Sequence, residues 1–222
     1  MIKHILAKIM VLLLFLGQGS LFPHANASDP PGMVEMPLPW NEEKSRLTEE
    51  YAELHYGERM TEIIPRAVVV HWTAANTWQS TYHHFYSERL HDGTLNVASH
   101  FLVDRDGTIY RLTPETRLNR HAIGYNWCAI GIENVGGVGN AEDLTHEQLL
   151  ANIDLIRYLH AEFPTIQYVF GHYQQVAARA SGLYKENVDG YYSIKTDPGA
   201  SFMNGLKENL ADEGLVFFTT KS

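Results

Sequence analysis

Residues 67–74 read Ala-Val-Val-Val-His-Trp-Thr-Ala, an apolar run that ends in polar side chains. Four small or β-branched apolar residues in succession predict a strand that is buried on both faces. Because side chains alternate along a strand, Val69, His71 and Thr73 share one side of it. The pattern therefore puts a single imidazole, that of His71, at the point where a buried strand reaches the surface.

The composition predicts one globular domain preceded by a leader. The chain has 222 residues, of which 45% are hydrophobic and 19% charged, which is typical of an ordinary folded domain. Residues 1–27 combine two lysines with an apolar run too short to span a bilayer and end in Ala-Asn-Ala, a pattern typical of a secretory signal peptide. We therefore expect an exported protein, periplasmic or extracellular, without a membrane anchor. The proline-rich residues 28–44 are expected to lack regular structure, and the folded domain to occupy residues 45–222.

The charge balance argues against nucleic acid as a partner. The formal charge is −9, and removal of the two leader lysines lowers it to −11, with no basic run elsewhere in the chain. The only cysteine, Cys128, cannot form an internal disulfide. It lies in an apolar run, where a buried and inert thiol is expected, although a cysteine peptidase or amidase with a histidine base is a rival interpretation.

Local patterns predict alternating strands and helices. Asp106-Gly107 between two apolar runs indicates a β-hairpin, and Thr145 with Gln148 fits a capping box at the start of an amphipathic helix. The remaining predicted strands cover 128–135 and 167–170, and the remaining helices 45–55, 77–90 and 201–210.

Three potential metal ligands, His71, His172 and Asp197, follow apolar strands or lie on a rigid turn. A catalytic zinc ion typically takes three protein ligands of these types and leaves one position to water. Their spacing alone is weak evidence, since the chain has no His-Glu-x-x-His motif, and His146-Glu147 lacks the second histidine. In the extended segment before Pro198, Lys195 and Asp197 are expected to point the same way.

Glu133 interrupts an apolar strand, on the face opposite Ile130 and Ile132. A buried carboxylate is costly unless it is paired or functional. Partial burial raises a carboxyl pKa towards the range of a general base, so Glu133 is a candidate to take a proton from an attacking water.

At these residues the sequence resembles the zinc-dependent N-acetylmuramoyl-L-alanine amidases of the type-2 amidase and peptidoglycan-recognition-protein superfamily. The resemblance covers residues 67–202, and its motifs agree in order and approximate separation. The matching pieces are Val69–Thr73, Ala98–Val103 with Asp106–Tyr110, Arg120–Ala122, Asn126 with Ile130–Glu133, Gly171-His172 and Lys195–Gly199.

The resemblance implies a single-domain α/β fold, in which helices flank a central mixed β-sheet and a zinc site lies at the strand ends in an open groove. It implies that Zn²⁺ is bound by His71, His172 and Asp197, and that Glu133 and Lys195 are catalytic. His121, Asn126 and Trp72 would then line the substrate groove. The implied reaction is hydrolysis of the amide between N-acetylmuramic acid and L-alanine in peptidoglycan or muropeptides. No protein partner is inferred from the sequence. A peptidoglycan-binding module without catalysis is the alternative, although such a relative is expected to have lost at least one metal ligand.

The chain departs from the family pattern in two places. Gln174 stands where the family usually has an acidic residue, two positions after the second histidine. The segment between His172 and Asp197 is also longer than usual, and residues 177–193 form a tyrosine-containing insertion. The insertion is expected either to contact substrate or to pack as an ordinary surface loop.

Overall fold

The computed structural model describes residues 30–219, so the predicted signal peptide at 1–27 lies outside the described part of the chain. Within these residues no helix combines the length and apolar character needed to cross a membrane. The strands are β1 Met33–Glu35, β2 Ala67–Trp72, β3 Phe101–Val103, β4 Ile109–Arg111, β5 Ala129–Asn134, β6 Tyr168–Gly171 and β7 Val216–Phe217. The α-helices are α1 Glu42–Tyr56, α2 Trp78–Tyr86, α3 His146–Glu162 and α4 Ala200–Asn209.

The strands form one mixed sheet in the order β1-β4-β3-β5-β2-β6-β7. The β3–β4 hairpin is antiparallel, as Asp106-Gly107 predicts, whereas the other neighbouring strands pair in parallel. The predicted α/β fold with a central mixed sheet and flanking helices is therefore confirmed. Strand β2 lies between β5 and β6, and its six residues are all buried, in agreement with the prediction for a strand covered on both faces.

The main apolar core lies between one face of the sheet and helices α3 and α4. Side chains that alternate along β2 and β5 meet the inner faces of these helices, and the buried contributors include Val68, Val70, Ile130, Ile132, Leu155, Ile156 and Leu206. At the start of α3, Thr145 and Gln148 form the predicted capping box. This packing fixes β2 and β5 as rigid supports for the side chains on their other face.

The N-terminal segment is more ordered than its prolines suggest. Residues Met33–Glu35 form β1 and pair with β4 at the edge of the sheet, so the prediction of no regular structure is wrong there. An edge strand tolerates prolines beside it because its outer N–H groups need no partner in the sheet. The first helix begins at Glu42 rather than 45, since the Asn41 side chain accepts a hydrogen bond from the Lys44 amide and caps it.

Candidate active site

The pairing of three parallel strands brings the predicted site residues together. In the register of β2 with β5, His71 lies beside Glu133. In the register of β2 with β6, Val70 lies beside Gly171, which directly precedes His172. The carboxyl ends of β5, β2 and β6 thus converge at one edge of the sheet, where open α/β sheets typically bind ligands. Asp197 reaches the same edge on the loop before α4, where its carbonyl accepts a hydrogen bond from the Tyr173 amide at 2.9 Å.

His71, His172 and Asp197 form a compact, buried group of possible metal ligands. The Nδ1 atom of His71 lies 3.0 Å from Nδ1 of His172 and 3.1 Å from Oδ2 of Asp197. The third edge, from His172 Nδ1 to Asp197 Oδ2, measures 3.3 Å. Tetrahedral zinc with bonds of about 2.0 Å requires ligand atoms roughly 3.3 Å apart. The size of the triangle therefore fits zinc.

Proton positions around His71 also favour a cation between these three atoms. His121 Nε2 lies 3.1 Å from the Ala129 carbonyl oxygen, which only accepts, so this nitrogen carries the hydrogen. Burial, followed by the effect of neighbouring histidines, lowers the pKa of His121 well below its ordinary value, so its Nδ1 is a bare acceptor. His71 Nε2, at 3.1 Å, must donate to it.

In its neutral form, which is the form that binds a metal, His71 then has no hydrogen on Nδ1, and this lone pair faces the Asp197 carboxylate at 3.1 Å. Two acceptors at this distance repel each other unless a cation lies between them. Burial also lowers the pKa of His172 to about 4, so this imidazole is neutral near pH 7 and can offer a lone pair as well. Burial acts to raise the pKa of Asp197, but the contacts of its carboxylate with the two imidazoles keep it far below its ordinary value, so this group is ionised near pH 7. The donor set is two imidazoles and one carboxylate, which is chemistry that suits Zn²⁺.

Glu133 has the environment of a general base. Burial raises its pKa from 4.5 to about 7, although the neighbouring His71 acts in the opposite direction. Its Oε2 atom is buried and has no hydrogen-bond partner among residues 30–219. A carboxylate oxygen that the protein leaves unpaired can accept a proton from a reactant.

A cavity of about 710 Å³ lies over this group. It is lined by Glu133, Lys195 and the three possible ligands, and also by Trp72 and His121. Both ring nitrogens of His121 contact protein atoms, which leaves neither free to bind a substrate. Arg120, which lies in one of the matching motifs but had no predicted role, also lines the cavity.

Asn126 is not at the groove surface, in contrast to the expectation from sequence. It is fully buried, and its side-chain oxygen accepts hydrogen bonds from the His121 and Ala122 amides at 2.9 and 2.6 Å. Its amide nitrogen donates to the Tyr51 hydroxyl at 3.0 Å. The side chain therefore shapes the turn that carries His121, and a direct contact with substrate is not available to it.

Gln174, the first departure from the family pattern, has a structural role that an acidic residue could not fill. Its Oε1 accepts a hydrogen bond from the Gly171 amide at 2.8 Å. Its Nε2 donates to the Phe218 carbonyl at 2.5 Å, a bond that requires an amide hydrogen. Gln174 thus holds the end of β6, and with it His172, against the C-terminal segment.

Cys128 is fully buried, and burial raises the pKa of its thiol to about 12. A nucleophilic cysteine needs an accessible thiolate. The rival interpretation of a cysteine enzyme is therefore unsupported by the environment of this side chain.

Comparison with known proteins gives one family match and two kinds of relative. The family model described as N-acetylmuramoyl-L-alanine amidase (Amidase_2) matches residues 61–200. The endolysin of Enterobacteria phage K11 is 33% identical over 76 residues, which cover 32% of this chain and 50% of that protein. The endolysin of Escherichia phage T7 is 44% identical over 46 residues, covering 21% of this chain and 30% of that protein. The chain thus aligns with half or less of each curated relative.

Solved structures support the fold. The endolysin N-acetylmuramoyl-L-alanine amidase LysCS from Clostridium intestinale URNW superposes with a TM-score of 0.54 at 23% identity, covering 85% of this chain and 99% of that one. A selenomethionine derivative of AmpD superposes with a TM-score of 0.50 at 19% identity, covering 80% of this chain and 93% of that one. At these sequence identities the structural similarity supports the fold only.

Proposed function

The chain belongs to the N-acetylmuramoyl-L-alanine amidase family, and from this premise we propose that it is an exported zinc hydrolase of peptidoglycan. The bond cleaved is the amide between N-acetylmuramic acid and the L-alanine of the stem peptide. The observation that carries the proposal is the buried triangle of His71 Nδ1, His172 Nδ1 and Asp197 Oδ2, whose edges have lengths that suit zinc. A binding-only protein would have no use for such a donor set beside an unpaired carboxylate.

In the proposed mechanism His71, His172 and Asp197 hold the zinc ion. Zinc bound there supplies a Lewis acid and makes an adjacent water more acidic. The Glu133 carboxylate takes a proton from the attacking water and later gives it to the leaving amine. The exposed ammonium of Lys195, which lines the same cavity, faces the negative charge that develops on the carbonyl oxygen.

The proposal is tested by digestion of purified peptidoglycan with the zinc-loaded protein. We expect stem peptides that carry a free L-alanine amino terminus, and we expect a chelator to stop their release. The measurement is mass spectrometry of the soluble products, together with the zinc content of the protein. Zinc-free protein that retains peptidoglycan without releasing peptides would instead support the binding module.

We further propose that His121 acts on the reaction through His71 and is a positioning residue. It fixes the hydrogen on Nε2 of His71 and so directs the Nδ1 lone pair towards the metal. The ring fits above β5 because position 131 is glycine: a Cβ atom there would lie 2.8 Å from the imidazole. A glycine inside a strand often marks such a close approach.

Replacement of His121 by phenylalanine is expected to lower the zinc affinity about 10–100-fold, because His71 loses its acceptor. The affinity is measured by competition with a chromophoric chelator, which does not depend on activity. The His121→Gln variant keeps an acceptor and a donor and is expected to retain more of the affinity. A phenylalanine variant that binds zinc as tightly as the wild type would exclude the positioning role.

A further inference from the structure

A second cavity, of about 190 Å³, adjoins the catalytic one. Ile194 and Lys195 line both cavities, so a ligand in the catalytic groove can extend into the second without leaving the protein surface. The other wall comes from the insertion at 177–193 and the residues just before it, including Val176, Arg179 and Tyr184. We call this space the insertion cavity.

The insertion is anchored to the body of the domain. Its Glu186 carboxylate lies 2.8 Å from Nδ1 of His55 on α1, and both side chains are buried. Three further hydrogen bonds tie it down, from the Asn187 amide to the His55 carbonyl, from the Lys185 amide to the Gly124 carbonyl and from Trp127 Nε1 to the Leu183 carbonyl. The wall of the insertion cavity is therefore preformed, which reduces the entropic cost of binding a ligand.

Large apolar side chains are exposed at this cavity. Val176, Tyr192 and Ile194 are 68%, 69% and 88% exposed, respectively. Single exposed apolar residues are common, but a group of them around a concave surface marks an interaction site. These apolar side chains beside the catalytic groove suit a ligand with aliphatic parts.

The cavity is also cationic. The guanidinium of Arg179 lies over the Tyr184 ring at 4.1 Å, and within residues 30–219 neither Arg179 nor Lys195 forms an ion pair. Elsewhere on the surface, arginines such as Arg59 and Arg157 pair with glutamates. In a chain with a formal charge of −9, two unpaired cations at one cavity indicate an anionic ligand.

We propose that the insertion cavity binds the stem peptide of the substrate, with Arg179 on a peptide carboxylate and the apolar rim on its aliphatic parts. The inference rests on the proposed function and adds the part of the substrate that the insertion recognises. The choice of peptide over glycan follows from charge. The amino sugars of the glycan are neutral once the lactyl group forms the scissile amide, whereas stem peptides carry free carboxylates.

The test uses two synthetic muramyl peptides of the same sequence, one with free carboxylates on the stem and one with carboxamides in their place. For the zinc-loaded wild type we expect KM to be about 5–10-fold lower for the carboxylate substrate, since a hydrogen bond to a charged group is lost in the other. In Arg179→Gln this difference should disappear through a higher KM for the carboxylate substrate, with kcat unchanged. Lys207→Gln, which removes an exposed cation on α4 that lines neither cavity, is the matched control and should behave as the wild type.

The outcomes separate this inference from the proposed function. Cleavage of both substrates with equal KM, or an Arg179→Gln variant that keeps the carboxylate preference, would overturn the subsite and leave the amidase reaction standing. If the wild type cleaves neither substrate, the proposed function fails. Binding at the insertion cavity is then tested by calorimetric titration of the same zinc-loaded proteins with both peptides. Carboxylate-dependent binding that Arg179→Gln abolishes would support it, and equal or absent binding would refute it. Circular dichroism and melting temperature verify that the exposed substitution leaves the fold intact.

Discussion

Replacement of Glu133 by glutamine is expected to lower kcat by about 10²–10⁴-fold, which is the usual contribution of general acid–base catalysis. Glutamine keeps the size of the side chain but cannot accept a proton from water or give one to the leaving amine. Glu133 lies beside His71 across the β2–β5 pairing, so the substitution leaves the metal ligands themselves unchanged. We therefore expect normal zinc content with little hydrolysis.

The kinetic test compares Glu133→Gln with Glu208→Gln, which makes the same chemical change at an exposed position on α4. Release of stem peptides is measured at saturating substrate, with zinc determined on the same samples. A Glu133→Gln protein that is fully loaded with zinc and works within tenfold of the wild type would remove Glu133 from the mechanism.

The same substitution has an expected effect on stability when the protein is free of metal. Burial raises the pKa of Glu133 from 4.5 to about 7, so the folded state binds this proton more tightly than the unfolded state does. The contribution of Glu133 to stability is therefore greatest below pH 4.5 and falls as the pH rises through 7. At pH 8 we expect the metal-free Glu133→Gln variant to exceed the wild type by up to about 3 kcal/mol in unfolding free energy.

Urea unfolding of the chelator-treated proteins at pH 4.5 and pH 8 measures this effect as the difference between variant and wild type. The difference should be near zero at the lower pH and favour the variant at the higher one. An equal difference at both pH values would mean that burial does not perturb this carboxyl group.

Much of the centre of the fold could be predicted from short stretches of sequence. The apolar run before His71 and the single acid in the run around Glu133 follow from strand periodicity. The capping box at Thr145 and the turn at Asp106-Gly107 are local structures, so their geometry depends on only a few adjacent residues. These elements support the site, and its main residues could therefore be predicted from the sequence.

What could not be predicted depends on partners that are distant in sequence. Strands β1 and β7 are only three and two residues long and are held by backbone hydrogen bonds at the sheet edges, which carry no side-chain pattern. The role of His121 depends on the carbonyl oxygen of Ala129. This is a backbone atom, so the amino-acid sequence gives no sign of the contact. Asn126 is polar and would ordinarily be expected at the surface, but the folded turn saturates its amide and buries it.

The second large effect is expected when a proposed metal ligand is removed. In His172→Ala the site keeps one imidazole and one carboxylate, and a catalytic zinc site requires three protein ligands. We expect zinc content to fall from one ion per chain to near zero. Hydrolysis should fall at least about 10³-fold, because the metal contributes several kcal/mol to the stabilisation of the transition state.

His146→Ala is the matched control. It removes an exposed histidine at the start of α3, next to the glutamate that only partly resembles a zinc-protease motif. This variant should keep both zinc and activity. If His146→Ala lost zinc while His172→Ala retained it, the proposed ligand set would be wrong.

Thermal unfolding separates loss of the metal from damage to the fold. Zinc at 1,000 times its dissociation constant stabilises the wild type by about 4 kcal/mol, so a chelator should lower its melting temperature by roughly 8–16 °C for a domain of this size. The melting temperature of His172→Ala should not respond to the chelator and should lie close to that of the chelated wild type. The reason is that both proteins then lack bound zinc and the stabilisation that it supplies.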